Sequence, residues 1–336
     1  FNRCDCFANY NKKQHKTKIT GRNVWILNGF ATIIDSIILI GIMILIGFFC
    51  QKTKYVKDID EKTSKIIKNI TLPLLIITSL KTQPLNRELV KSAAFIIVFA
   101  FVSILLLLII GVFTAKLFRL KGPEKKLHIC LSAFGNVIFL AYPLVTSLFG
   151  QRGLMYAVFY ALINDLWVWT FGVYMLSGKG KLKELINPNT ISFLTGLFLM
   201  ITNIDLPPVV MEAATRIGSA TTPLSMLFIG CTLAKIDVLD IFKKASIYVL
   251  GAIKMIIMPI LVVYIIFITG VSKYVPYEAV QVLALQVAMP AQTIFAILAK
   301  EYEVDPKYAA QTIFITTVLS MFTLPLVYRL IDFFKA

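Results

Sequence analysis

Long apolar stretches, separated by short polar loops, run along almost the whole of this 336-residue chain. A helix needs about 20 apolar residues to cross roughly 30 Å of hydrocarbon. Ten stretches meet or approach that length, so the pattern predicts an all-α membrane protein with ten transmembrane helices and no folded soluble domain between them. The predicted spans are residues 30–50, 64–80, 91–115, 127–149, 153–176, 189–204, 208–234, 241–268, 277–299 and 306–334.

The composition of the chain agrees with this class. Hydrophobic residues make up 58% of it and charged residues 15%, whereas soluble domains are about half apolar and about a quarter charged. The net charge of +16 does not indicate nucleic-acid binding, because the lysines lie in separate short loops rather than in one patch. We therefore expect the lipid bilayer, and no nucleic acid, as a partner.

Lysine and arginine set the predicted orientation. They are more abundant in the loops after the first, third, fifth, seventh and ninth spans than in the alternate loops. Loops rich in these residues lie in the cytoplasm, so we expect a multi-pass protein of the cell membrane with both ends of the helix bundle outside.

The first 27 residues do not fit this charge distribution, because they are basic and yet precede the first span. We expect either that the native protein starts near Leu27 or that residues 1–27 are a tolerated basic tail. The remaining chain divides into a first five-helix repeat at 28–176, a short cytoplasmic linker at 177–188 and a second five-helix repeat at 189–336.

Two of the predicted spans contain a proline that should interrupt the helix. The fourth span carries AFGNVIFLAYPLVTSLFG with Pro143, and the ninth carries QVLALQVAMPAQTIFAILAKEY with Pro290. Spans two and seven also match, since each has a proline behind small polar residues (Pro73 and Pro223). An odd number of spans per repeat inverts the second copy, so the sequence predicts two inverted repeats. Paired interrupted helices in corresponding positions of two halves indicate the binding site of a transporter.

The prolines suggest how such a site would attract an anion. Pro143 and Pro290 each suit the first position of a new half-helix, where no amide proton is needed. We therefore expect the next amides, which belong to Leu144 and Val145 or to Ala291 and Gln292, to face the gap with the positive end of a helix dipole. The alternative is that each proline is a plain kink.

Carboxamide side chains flank both interruptions. Asn136 and Gln286 precede the prolines and Gln292 follows Pro290. Their amides can donate to a carboxylate, so we predict Asn136, Pro143, Gln286, Pro290 and Gln292 as the substrate-binding residues. Alternatively, Asn136 holds two helices together by a hydrogen bond.

Two charged residues lie in the middle of predicted spans. Asp165 lies in span five and Lys254 in span eight, and charges at such depth are costly and usually functional. We expect either a structural ion pair between them or a coupling proton on Asp165, and we expect His128 to be interfacial. The five cysteines have no metal-binding spacing and the chain has no HExxH motif, so we expect no metal site. No nucleophile has a suitably spaced base, so we expect no enzyme.

Several of these motifs together resemble the auxin efflux carrier family, which includes plant auxin exporters and bacterial permeases described as carriers of malate or related carboxylates. The likeness covers nearly all of residues 28–336. The segments that carry it are KNITLPLLIITSL, FGNVIFLAYPLVTSLFG, the run from NPNTISFLTGLF through LPPVVMEAATRIGSATTPLSMLFIGCTLA, and AMPAQTIFAILAKEYEVD with the following TTVLSMFTLPLV.

The resemblance implies ten helices in two inverted five-helix repeats, crossing broken helices four and nine, outward-facing termini and elevator-type alternating access. It places the substrate at the crossing and carries Asn136, Pro143 and Pro290 over as site positions. Two features depart from the plant exporters: the loop SGKGKLKELINP is short, and residues 1–27 have no counterpart. Both favour a bacterial-type permease.

We therefore expect a secondary active transporter of a small organic anion, such as malate, that works by alternating access. The alternatives are a sodium-coupled carrier of similar fold, an auxin-type exporter, a channel and a receptor. The sequence predicts no cofactor, leaves H⁺ and Na⁺ open as coupling ions, and is compatible with a homodimer.

Overall fold

The computed structural model describes residues 21–53, 59–178, 185–235 and 244–335, with side chains from residue 34 to residue 331 within those ranges. These residues form helices joined by short loops, and no β-strand occurs among them. The described part of the chain is therefore all-helical, as predicted. Residues 1–20, which hold most of the predicted extension, and residues 179–184 of the predicted linker lie outside the described residues.

Seven α-helices make up the first half of the described chain. Two of them continue into the next through a π-helical turn, at Ile67–Thr71 and at Val168–Gly172. The helices are α1 (Gly21–Lys52), α2 (Ile59–Ile66), α3 (Leu72–Lys81), α4 (Arg87–Leu117), α5 (Gly122–Ala133), α6 (Ala141–Trp167) and α7 (Val173–Ser177).

Eight α-helices follow in the second half. The π-helical turn Ile253–Ile257 joins two of them, and a short 3₁₀ segment, Val271–Tyr274, precedes another. The helices are α8 (Pro188–Thr202), α9 (Pro208–Ser219), α10 (Thr221–Ala234), α11 (Ala245–Ala252), α12 (Met258–Ile268), α13 (Tyr277–Val287), α14 (Ile294–Glu301) and α15 (Pro306–Lys335).

Six of the described segments are long and apolar enough to cross a membrane. Their large hydrophobic side chains are often exposed, as Phe113 and Ile42 are, which fits a surface that faces lipid rather than water. The six segments are Ile34–Lys52, Arg87–Leu117, Ala141–Ser177, Pro208–Ala234, Ala245–Ile268 and Pro306–Ile331.

The fourth and fifth predicted spans meet at a sharp bend rather than at a loop. Helix α6 runs through Gly150, which has φ 62° and ψ −153°. Side chains other than hydrogen disfavour this backbone conformation, so glycine is the residue that suits the bend. Two residues later, Arg152 forms an ion pair with Glu88 at the start of α4.

Both predicted interruptions are present, but neither proline begins a half-helix. Helix α6 begins at Ala141, two residues before Pro143, because proline is tolerated anywhere in the first helical turn, where its missing amide proton has no partner. Pro290 lies in the non-helical segment between α13 and α14. The expectation that each proline occupies the first helical position is therefore wrong.

The helices pack as two groups. The first, called the scaffold group, contains α1, α2, α3, α8, α9 and α10, and its most extensive contacts join α1 to α10 and α3 to α8. The second, called the crossing group, contains α4 to α7 and α11 to α15. The two groups touch mainly where α6 contacts α1 and α3 and where α15 contacts α1.

Candidate functional site

The two helix interruptions cross and bond to each other. Gly135 and Ala291 form an antiparallel bridge. The amide of Asn136 donates to the carbonyl of Pro290 at 2.8 Å, and the amide of Gln292 donates to the carbonyl of Phe134 at 3.2 Å. Backbone groups freed by breaking a helix must find partners when they are buried. Here each interruption supplies partners for the other.

Aromatic packing supports the same crossing. Phe134, which follows the last residue of α5, stacks on Phe295 of α14 with ring centroids 5.5 Å apart and planes 4° apart. A side chain on Gly172 would come within 3.3 Å of both rings. The small residue at this position therefore lets the chain pass close behind the stacked pair.

The amides near the prolines do not face an open gap. The amide of Leu144 donates to the carbonyl of Leu140 at 3.4 Å. The amide of Ala291 donates to Oγ1 of Thr316 at 3.1 Å, and that of Gln292 is used in the crossing itself. The expectation that the amides of Leu144, Ala291 and Gln292 are offered to an anion is therefore wrong, because the protein already provides their acceptors.

The Asn136 side chain lies at the crossing without a hydrogen-bond partner in the protein. It is 1% exposed, and neither Oδ1 nor Nδ2 has a hydrogen-bond partner within the protein. An unpaired buried amide costs about 1–3 kcal/mol, and buried polar groups in folded proteins are normally satisfied. A buried carboxamide without protein partners is a position where a ligand or a water molecule would bond.

The other two carboxamides are partly satisfied. Nε2 of Gln286 donates to the carbonyl of Ala157 at 3.3 Å, and Oε1 of Gln292 accepts a bond from Nδ2 of Asn164 at 3.2 Å. Both side chains are at least nine-tenths buried. The structure therefore places Asn136 and Gln292 in the crossed segments themselves and Gln286 in the last turn of α13.

A cavity of about 220 Å³ adjoins the crossing, and we call it the Gln292 cavity. Scaffold residues form one wall and crossing-group residues the other, so it lies between the two groups. Asn136, Pro143, Gln286 and Pro290 do not line it. Its lining residues are Lys68, Asn69, Leu72, Ile138, Phe139, Asp165, Val168, Trp169, Asn187, Pro188, Asn189, Gln292 and Ile294.

Lys68, Asn69 and Asn189 line the cavity, although no sequence pattern marked them as site residues. Lys68 and Asn69 lie in the first third of the second predicted span, and Asn189 is the first residue of the sixth, where polar residues are ordinary membrane-interface residues. The sequence feature that could have pointed to this region is Asn187, which caps the start of α8. Its Oδ1 accepts bonds from the amides of Asn189 and Thr190. That cap fixes the start of a short helix beside the cavity.

A second cavity of about 260 Å³ borders α14 and lies between the same two helix groups, and we call it the Thr293 cavity. The Thr293 hydroxyl is buried and has no hydrogen-bond partner within the protein. Scaffold residues Asp60, Thr232 and Lys235 contribute to its lining, and Lys300 of α14 contributes from the crossing group. Neighbouring residues of the second interruption thus border separate cavities.

Asp165 and Lys254 do not form the predicted ion pair. Oδ2 of Asp165 accepts a bond from Nδ2 of Asn189 at 3.4 Å. Nζ of Lys254 donates to the carbonyls of Ser132 and Ala133 at 3.1 and 2.9 Å. The pairing is wrong because backbone carbonyls at the end of α5 satisfy the ammonium, whereas the carboxylate lies at the Gln292 cavity.

His128, which we expected to be interfacial, is fully buried within the protein. Its Nε2 lies 2.8 Å from Oγ1 of Thr114, and its Nδ1 lies 2.7 Å from the hydroxyl of Tyr308. The hydroxyl of Tyr308 also lies 3.3 Å from Oγ of Ser246. Helices α4, α5, α11 and α15 are therefore joined by hydrogen bonds within the crossing group.

Comparisons with known proteins agree with the membrane reading. A family model described as "Membrane transport protein" matches twice, at residues 32–182 and 176–328. An uncharacterized transporter of Methanocaldococcus jannaschii is 25% identical over 312 residues, which cover 87% of this chain and 96% of the relative. An uncharacterized transporter of Methanothermobacter thermautotrophicus is 24% identical over 304 residues, with the same coverage of both chains.

The double match spans most of the chain, and the family and relatives are described as transporters rather than enzymes. Several apolar helices agree with a multi-pass membrane protein. The chain therefore belongs to the membrane transport protein family, of the auxin efflux carrier type that the sequence motifs indicated.

Proposed function

We propose that the protein is a secondary active carrier that moves a small organic anion across the cell membrane by alternating access. The observation that carries the proposal is the Asn136 carboxamide, which is buried and unpartnered where the two helix interruptions cross. Its amide can donate to a carboxylate oxygen. Asn136 and Gln292 would fix the substrate, and Pro143 and Pro290 would contribute by breaking the helices.

The chemistry of the Gln292 cavity favours a small anion with a short carbon skeleton. Lys68 supplies a positive charge and Asn69 a carboxamide, while Phe139 and Trp169 supply apolar surface. Its volume of about 220 Å³ is below the roughly 300–1,000 Å³ typical of pockets for drug-sized ligands. A dicarboxylate such as malate suits this combination better than a large aromatic anion does.

We further propose ten membrane crossings in two inverted repeats, with the termini outside. Ion pairs support this topology because each joins segments that the charge count assigns to one side. The finding of only six long apolar segments among the described residues is compatible with ten crossings. The other crossings are interrupted or short, so their helices are shorter than a continuous membrane-spanning helix. The supporting pairs are Lys235–Asp60 and Lys244–Glu124 on the predicted inner side, and Lys81–Asp205, Arg152–Glu88 and Arg152–Glu278 on the predicted outer side.

Asp165 is our candidate for the coupling proton. It lies on the wall of the Gln292 cavity, and its amide donor, Asn189, belongs to the scaffold group. A carboxylate between two groups that move against each other can change its partner and its protonation during transport. A proton gradient, rather than a sodium gradient, should then drive uptake.

The test is a ligand screen followed by transport. Purified protein is melted in the presence of malate, citrate, malonate, indole acetate and amino acids, and any stabilising compound is then measured for uptake into proteoliposomes. We expect a small carboxylate to raise the melting temperature, and its uptake to saturate and to show counterflow of unlabelled substrate.

Protein-free liposomes are the control for leakage. Uptake that does not saturate and shows no counterflow would indicate a channel and contradict a carrier. Stabilisation by indole acetate alone, with no response to any small carboxylate, would contradict the proposed substrate class. Separate pH and sodium gradients then identify the coupling ion.

A further inference from the structure

Lys254 is the most deeply buried charged side chain near the crossing. It lies on the π-helical turn Ile253–Ile257 and is 1% exposed. Lysine is almost never fully buried unless its ammonium group has partners. Within the described ranges no acidic side chain forms an ion pair with it, so its partners must be of another kind.

Those partners are the last carbonyls of a broken helix. Nζ of Lys254 lies 3.1 Å from the oxygen of Ser132 and 2.9 Å from that of Ala133, and α5 ends at Ala133. The final four carbonyls of a helix lack amide donors from the helix itself and carry the negative end of its dipole. The ammonium therefore supplies the hydrogen-bond donors and the positive charge that this helix end lacks.

The same helix end leads directly into the crossing. The next carbonyl along the chain, that of Phe134, accepts a hydrogen bond from the amide of Gln292. Two residues beyond Phe134 is Asn136, whose amide bonds to Pro290. Lys254 thus fixes the backbone from which the Asn136 side chain projects, although it does not itself line the Gln292 cavity.

We propose that Lys254 is a tethered cation that replaces, at the end of α5, the free cation that carriers with broken helices bind at half-helix C-terminal ends. It acts as a positioning residue, which neutralises the negative helix end and holds the crossing in register. The consequence for transport rests on the proposed function, whereas the consequence for cation-dependent stability does not.

The test removes the tethered ammonium and supplies it again in solution. Lys254→Ala removes a fragment that corresponds to propylammonium and leaves space for a cation. Lys254→Met removes the charge but fills most of the space. Wild type and both variants are melted in choline, Na⁺ and propylammonium chlorides at equal ionic strength, with tert-butylammonium as a cation too bulky for the vacated channel.

We expect both variants to melt about 5 °C or more below wild type in choline, because the carbonyls of α5 lose their cation. Propylammonium or Na⁺ should restore at least half of that loss in Lys254→Ala, and neither should restore it in Lys254→Met. Uptake of the carboxylate found in the screen should fall at least tenfold in Lys254→Ala and recover with propylammonium.

Two results would overturn the proposal. One is a Lys254→Met variant that melts with wild type, which would mean that the side chain only fills space. The other is a Lys254→Ala variant whose response to small cations equals that of wild type. If Lys254→Ala cannot be expressed in folded form, the melting temperature of Lys254→Met alone tests the proposal. Absence of carboxylate uptake in wild type would contradict the proposed function and leave the melting comparison intact.

Discussion

Asn136→Ala should abolish transport without weakening the fold. The carboxamide is 1% exposed and neither of its polar atoms has a protein partner, so its removal breaks no hydrogen bond within the protein. If Asn136 only joined two helices by a hydrogen bond, the same substitution would lower the stability of the protein. The two roles therefore predict opposite changes in melting temperature.

The magnitude follows from two opposing effects. A buried amide without a partner costs about 1–3 kcal/mol, and this cost disappears in the variant. The vacated volume of roughly 30 Å³ costs about 0.7 kcal/mol at about 24 cal/mol per Å³. The free energy of unfolding should thus stay the same or rise by up to about 2 kcal/mol, which corresponds to a melting temperature equal to or a few degrees above that of wild type.

Asn86→Ala is the matched control. Oδ1 of Asn86 accepts a bond from the amide of Leu89 at 2.8 Å and caps the start of α4, a contact worth about 1 kcal/mol. We expect this variant to melt lower than wild type and to transport normally, which is the reverse of the Asn136→Ala result.

Both variants are purified in one detergent, melted, and then reconstituted at equal protein-to-lipid ratio for uptake. A large drop in melting temperature for Asn136→Ala would refute the reasoning, because it would show that the carboxamide has structural partners. Wild-type uptake by that variant would remove Asn136 from the substrate site.

Three further predictions concern packing, coupling and movement. Gly230→Ala should lower the free energy of unfolding by about 1–3 kcal/mol, because its Cβ would come 2.7 Å from the amide nitrogen of Phe48 and closer still to the carbonyl oxygen of Ile44, both in α1. Gly41→Ala is the control and should melt almost as wild type, since the nearest atom to its Cβ is the flexible end of a side chain 4.0 Å away. Equal melting temperatures of the two variants would contradict the close approach of α10 to α1. Asp165→Asn should abolish uptake driven by a pH gradient but retain substrate exchange, measured in the same vesicles, and unchanged pH-driven uptake would move the coupling proton elsewhere. The hydroxyl oxygens of Ser36 in α1 and Ser147 in α6 lie 2.7 Å apart. Ser36→Cys combined with Ser147→Cys, in a background without the native cysteines, should form a disulfide that stops transport until it is reduced. Full transport in the oxidised state would show that this contact does not change during the transport cycle.

The presence of two interruptions could be predicted from the sequence, but their geometry could not. Proline and its neighbours are local features, so Pro143 and Pro290 marked the right segments. The exact start of α6 differs from the expectation because any position of the first turn tolerates proline. The bond from Asn136 to Pro290 joins residues 154 positions apart, and a backbone-to-backbone contact leaves no residue-type pattern along the chain.

The two intramembrane charges show the same limit. Their depth was visible in the sequence because an ionisable residue stands out in an apolar run. Their partners were not, since Lys254 bonds to backbone carbonyls and every residue has one. Asp165 found a carboxamide donor at a predicted span edge, where polar residues are too common to be distinctive.

The division of the cavity walls constrains how a substrate site of this kind can move. Asn136, Gln286 and Gln292 all belong to the crossing group, and the crossing is held by backbone hydrogen bonds that a sliding motion need not break. Lys68 and Asn69 belong to the scaffold group on the opposite wall. In the proposed carrier, a displacement of one group along the other would move Gln292 relative to Lys68 and change the substrate's environment without breaking the crossing. The backbone bonds of the crossing lie within one group and the cavity lies between the groups, so in the proposed carrier the contacts that would exchange are side-chain contacts such as that of Asp165 with Asn189.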